Sequence, residues 1–86
     1  MRKLPDDEIR QRLQRAFLTS LPRELPTRPG AMDAGGGRGH PCTACGDTIG
    51  PHDPAPMEYR YPDQVVRFHG RCDALWHDER GKRIPR

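Results

Sequence analysis

With 86 residues, 33% of them hydrophobic and only five aromatic, the chain has material for one small domain at most. Its 9 glycines and 10 prolines put it near the boundary of disorder, so a hydrophobic core alone is not expected to hold a fold. The net charge of +3 permits contact with nucleic acid without demanding it, and no apolar run is long enough to span a membrane.

Residues 1–21 read as an amphipathic helix. Ile9, Leu13, Phe17 and Leu21 recur every fourth position and keep one stripe apolar, with Ala16 and Leu18 beside it. Asp6, Asp7 and Glu8 fall in the first turn, where the helix dipole favours negative charge, and Asp6 is placed to cap free amides. Pro22 ends the pattern. A lone helix of this length is marginal in water, so the stripe needs a partner. Docking on the rest of the chain is the first choice, and a groove on another protein the second.

Residues 22–41 carry Pro22, Pro26, Pro29 and Pro41 together with a run of glycines, and are expected to form a mobile connector. Residues 42–81 form the next module. Met57, Tyr59 and Tyr61 alternate with Glu58 and Arg60, Pro62-Asp63-Gln64 supplies a turn, and Val66 and Phe68 alternate with Arg67, which predicts a β-hairpin. Cys72 to Arg80 is predicted helical, with Leu75 and Trp76 packing beneath the hairpin against Ile49 and Phe68, and Gly81 as the stop. Tyr59 and Tyr61 are expected in the core; exposed beside Arg60 and Arg67 they would make a stacking surface. Residues 82–86 form a basic tail.

The chemistry lies in two close pairs of ligands, Cys42-Thr43-Ala44-Cys45 and His69-Gly70-Arg71-Cys72. Cys42, Cys45, His69 and Cys72 can close a tetrahedron around one structural zinc ion, and they use all three cysteines of the chain. An odd number of thiols does not complete a disulfide framework. His40, His52 and His77 are the alternative fourth ligands, but only His69 repeats the two-residue spacing of the cysteine pair. An iron–sulfur cluster calls for four cysteines. Covalent haem calls for a histidine where Gly46 stands. The zinc deaminase pattern is half present, because Pro41-Cys42-Thr43-Ala44-Cys45 has no H-x-E to go with it. Redox use of the cysteine pair would need a βαβ setting, and the surroundings of Cys42 are rich in Pro and Gly instead.

The order of knuckle, loop, hairpin and helix, carried by Cys42-Thr43-Ala44-Cys45-Gly46 and by Phe68-His69-Gly70-Arg71-Cys72, resembles a treble-clef zinc module over residues 42–80. It is similar to the first zinc site of LIM domains and to the C2HC fingers of poly(ADP-ribose) polymerases. A LIM domain continues into a second zinc site, and no cysteine follows Cys72. The resemblance therefore implies the ligand roles of Cys42, Cys45, His69 and Cys72 and no particular partner. The fold class expected is a small zinc-stabilised α+β domain: N-terminal helix, Pro/Gly-rich linker, then zinc knuckle, β-hairpin and α-helix.

Four protein ligands leave no open position for water, so a non-enzymatic role is expected. A protein-interaction or adaptor module comes first, because Asp73, Asp78 and Glu79 interrupt the basic surface near the C-terminus. The alternative is a nucleic-acid-binding zinc finger using Arg60, Arg67, Arg71, Lys82 and Arg83, with a pI of about 9.1. Thiol redox or metal-dependent enzyme chemistry is more distant. The N-terminus turns acidic where a signal peptide would be apolar, so a cytoplasmic protein with reduced thiols is expected.

Overall fold

The computed structural model describes residues 4–34 and 38–82. It is a small α+β fold of two helices and a three-stranded antiparallel sheet. The elements are α1 (Asp6–Phe17), β1 (Met32–Asp33), β2 (Met57–Tyr61), β3 (Gln64–Phe68) and α2 (Gly70–Arg80), with sheet order β1-β2-β3. No helix among the described residues is long and apolar enough to cross a membrane.

The hairpin follows its alternation. Tyr61 pairs with Gln64 across Pro62-Asp63, and this register puts Tyr59 opposite Val66 and Met57 opposite Phe68. Side chains on one sheet face thus meet α2, as the period-two pattern requires. Trp76 lies 5.0 Å from the Phe68 ring in a stacked arrangement and 4.8 Å from Tyr59 in a tilted one. Tyr59, Val66, Phe68 and Trp76 are all buried, and Leu75 and Ile49 belong to the same core. The buried phenol of Tyr59 donates to Asp73 Oδ1 at 2.5 Å. That uses its one proton, so the 3.0 Å contact with His77 Nε2 requires His77 to donate.

α1 ends at Phe17, four residues before the predicted limit. Three backbone amides, those of Thr19, Ser20 and Leu21, converge on the carbonyl of Ala16, and the Thr19 hydroxyl donates to it as well. A threonine hydroxyl so placed competes with the helical ladder. The turn leaves Leu18 exposed but returns Leu21 to the core. The helix begins on Pro5 as its cap, without a side-chain cap, so Asp6 serves the dipole in the first turn instead of capping. Gly81 closes α2 with a right-handed backbone, so its left-handed freedom is not used.

The apolar stripe of α1 is spent inside this chain. Ile9 and Leu13 are fully buried in the same core as Cys42, Cys72 and Trp76, while Phe17 is partly buried under the guanidinium of Arg23. Polar contacts fix the docking. Glu79, buried on α2, accepts from Arg10 Nη1 at 2.7 Å, Gln14 Nε2 at 2.9 Å and Lys82 Nζ at 3.0 Å.

Of residues 22–41, expected as a mobile connector, residues 35–37 lie outside the described residues, and residues 22–34 contribute β1 and a stitched segment. The carbonyls of Pro22, Arg23, Glu24 and Gly30 accept from Trp76 Nε1, Arg80 Nε, the Tyr61 hydroxyl and Arg60 Nη1 respectively. The backbone amide of Arg60 donates to the Ala31 carbonyl at 2.7 Å, and Met32 pairs with Tyr59. Proline removes backbone donors but not acceptors, so such a segment can be held entirely through its carbonyls. Composition signals the missing donors and says nothing of long side chains elsewhere that reach the acceptors.

Burial pushes the Glu79 carboxyl up, but the donors Gln14, Arg10 and Lys82 together outweigh it and hold its pKa at about 2, against 4.5 for a free side chain. A depressed folded-state value means that this stabilisation is present above pH 4.5 and fades as the pH falls toward 2. Glu79→Gln is therefore expected to lower stability at neutral pH by about 1–3 kcal/mol. Urea unfolding at a series of pH values should show the gap between wild type and variant closing in acid; a gap independent of pH would contradict the assignment.

Candidate metal centre

The ligand residues come from two structural units. Cys42 and Cys45 sit on a tight ribbon: Pro41 bridges Thr48, the Gly39 amide donates to the Ile49 carbonyl at 3.0 Å, and the Ile49 amide donates to the His40 carbonyl at 2.8 Å. Inside it the Cys42 amide bonds the Asp47 carbonyl at 2.8 Å, and the Gly46 amide bonds the Cys42 carbonyl at 2.9 Å. Gly46 turns the chain with φ +85°, a conformation that a side chain disfavours. His69 follows β3 and is the N-terminal cap residue of α2, which places Cys72 in the first turn of that helix.

Ribbon and hairpin are joined through Thr43. Its amide donates to the Arg67 carbonyl at 2.7 Å, and its hydroxyl accepts from the Arg67 amide at 3.0 Å. Thr43 thus occupies the outer edge of β3. On the other side Arg12 of α1 donates to the Cys45 carbonyl at 3.3 Å, so α1 also touches the knuckle.

The Sγ atoms of Cys42, Cys45 and Cys72 and a ring nitrogen of His69 all lie within 4.8 Å of one another. His69 Nδ1 is 3.5 Å from Cys45 Sγ and 4.0 Å from Cys72 Sγ. Tetrahedral bonds of about 2.3 Å to sulfur and 2.0 Å to nitrogen place ligand atoms about 3.5–3.8 Å apart, so the group is close to the span one metal ion needs. The other imidazole nitrogen is held from behind: Nε2 is 3.1 Å from the Thr48 carbonyl and 3.5 Å from Asp53 Oδ2. Asp53 Oδ2 in turn accepts from the Gly50 amide at 2.7 Å. A hydrogen-bonded far nitrogen fixes ring orientation and tautomer, leaving Nδ1 as the ligating atom.

The thiols sense one another strongly. A hydrogen bond from Cys72 lowers the Cys42 thiol well below its usual range against the opposing effect of burial, with help from the amides of Cys45, His69 and Ala44. Cys72, as the donor to Cys42 and buried itself, is pushed far up, and Cys45 is pushed up by burial. Three sulfurs this close favour one shared thiolate among protons. A divalent cation would instead hold all three as thiolates and release their protons.

Among the predicted ligands, the structure brings Cys42, Cys45, His69 and Cys72 together and leaves the other histidines aside: His40 and His52 are exposed, and His77 is engaged with Tyr59. The basic residues are differently placed. Arg60 pairs with Glu58 at 2.9 Å and Asp33 at 3.1 Å, Arg67 with Glu58 at 3.2 Å, Arg71 with Asp6 at 3.1 Å, and Lys82 with Glu79 at 3.0 Å. Each therefore has an acidic neighbour; Arg83 lies outside the described residues. Tyr59 is in the core and Tyr61 half-buried with its hydroxyl on the Glu24 carbonyl, so neither forms an open stacking platform. Sequence reasoning missed Asp53, Thr48 and Arg12, because their roles arise from contacts between segments distant in sequence and carry no spacing signal.

Gly70 shows how tightly the site is framed. A Cβ there would stand 2.7 Å from the Pro54 carbonyl oxygen and 2.9 Å from that of Ala55, both backbone atoms. Gly70→Ala is expected to force the 54–55 backbone away, at a cost of about 1–3 kcal/mol. Since Asp53 and His69 flank that contact, the variant should also bind metal more weakly. Urea unfolding and a metal-competition titration check both effects, and wild-type values in the two would refute the packing argument. Neither a protein-family model nor a curated protein nor a solved structure matches this chain, so the geometry of the site itself must support any functional assignment.

Proposed function

We propose that this chain is a small zinc-binding protein, in which one structural Zn²⁺ is held by Cys42, Cys45, His69 and Cys72 in a treble-clef-like arrangement, and that it works as a protein-interaction or adaptor module. The observation that carries the zinc reading is the four-atom cluster itself: three sulfurs and one imidazole nitrogen within 4.8 Å. Thiolate and imidazole ligands suit zinc and do not suit the hard cations Ca²⁺ and Mg²⁺. A fourth protein ligand in place of an exchangeable water supports a structural role over a catalytic one. The treble-clef comparison is supported by the order of the parts, with the knuckle ribbon first, the hairpin next, and the second ligand pair at the start of α2.

Protein interaction is preferred because Arg60, Arg67 and Arg71 are paired with acids of the same chain. Contact with a phosphate backbone would have to compete with those pairs. Reduced thiols and a zinc site fit a cytoplasmic location.

Native mass spectrometry with metal analysis, on protein made without added zinc, tests the centre. One zinc per chain, with a mass lower by the thiol protons lost, is expected; metal-free protein that keeps a dispersed amide spectrum would refute it. Chelation should melt the module, as loss of a structural zinc contributes on the order of 10 kcal/mol in zinc-finger peptides. Titration with single- and double-stranded DNA at low salt separates the two interaction classes. Weak or absent binding is expected, whereas tight binding with a steep salt dependence would bring the nucleic-acid function forward.

A further inference from the structure

The three cysteines are unequally shielded. Cys42 and Cys72 are 2% and 1% exposed, whereas Cys45 is only half-buried. Cys45 and His69 form part of the wall of a surface cleft of about 550 Å³, which Leu4, Thr48, Asp53 and Pro54 help to line. Cys72 is sealed in the core with Ile9, Leu13 and Trp76.

We propose that Cys45 is the reactive thiolate of the zinc centre, the position at which small neutral electrophiles, hydroperoxides above all, modify the protein and expel its metal. This rests on the zinc centre proposed above. One Zn²⁺ with three thiolates has a net charge of −1. All three sulfurs are then held as thiolates, the nucleophilic form, and access decides among them.

The chemistry balances without a further reagent. The Cys45 thiolate attacks one peroxide oxygen, the S–O bond forms as the O–O bond breaks, and hydroxide (or alkoxide) departs. Sulfur is oxidised by two electrons, and the hydroperoxide is reduced by two. The sulfenic acid that results is a poor zinc ligand. Its sulfur lies within 4.8 Å of both Cys42 and Cys72, so a neighbouring thiolate can attack it, forming S–S and releasing hydroxide. Two of the four ligands are then consumed, and zinc leaves.

The test uses the full chain loaded with zinc and checked for one metal per chain by native mass spectrometry. Substoichiometric iodoacetamide, and separately hydrogen peroxide, is added; peptide mapping locates the first modification, and a chromogenic chelator follows zinc release. Cys45 is expected to be modified at least about tenfold ahead of Cys42 and Cys72, with zinc release keeping pace. Cys45→His retains a four-ligand Cys2His2 set and is expected to hold zinc but release it at least about tenfold more slowly under peroxide. First modification spread evenly, or falling on Cys42 or Cys72, would overturn the proposal, as would a zinc-loaded Cys45→His that loses metal as fast as wild type. Mapping of the wild type decides the matter even if the variant does not fold. Failure of the zinc centre itself would overturn the proposal too, but it is seen separately, in the native spectrum before any electrophile is added.

Discussion

Three sulfurs and an imidazole nitrogen packed within 4.8 Å form the constraint on which the rest of this small fold depends. They bring together a ribbon, residues 39–49, and the start of α2, which are separated in sequence by the 50–56 loop and the hairpin. Close thiols cannot all ionise when only protons share the space, and a divalent cation removes that conflict by taking the place of the protons. The surroundings are arranged to the same end. Thr48 and Asp53 orient His69 from behind, Gly46 turns the knuckle, and Gly70 leaves room for the 54–55 backbone against α2.

Around the site the chain solves the problem of a small core by making each element serve twice. α2 gives Cys72 to the cluster, Trp76 to the aromatic core and Glu79 to the docking of α1. α1 buries Ile9 and Leu13 in that core and reaches the knuckle through Arg12. Even the Pro-rich segment before β1 is used, since its free carbonyls receive Trp76, Arg80, Tyr61 and Arg60. Arg60 and Arg67 share Glu58 on the outer sheet face.

The parts that were legible in the sequence are those governed by short-range periodicity. Ligand pairs two residues apart mark a chelate bite, Tyr59 and Val66 mark an inward sheet face, and Ile9 and Leu13 mark a helix stripe; in each case the spacing reflects local backbone geometry. The end of α1 was less legible, because Ala16 gathers three turn amides and the Thr19 hydroxyl, a competition that apolar spacing does not register. β1 was not legible at all, as two residues carry no periodicity and pair only because Tyr59 and Glu58 present an open strand edge.

The sequence by itself determined the ligand set, the hairpin and its inward face, and the need of α1 for an apolar partner, since all of these follow from residue type at fixed local offsets. Only the tertiary structure decided that this partner is the chain's own core, that the connector is stitched through its carbonyls, that Arg60, Arg67 and Arg71 meet acids, and that Cys45 borders a cleft while Cys42 and Cys72 are buried. Those outcomes depend on which distant groups come within hydrogen-bonding or contact distance, and such proximity is created by folding rather than encoded at any one spacing.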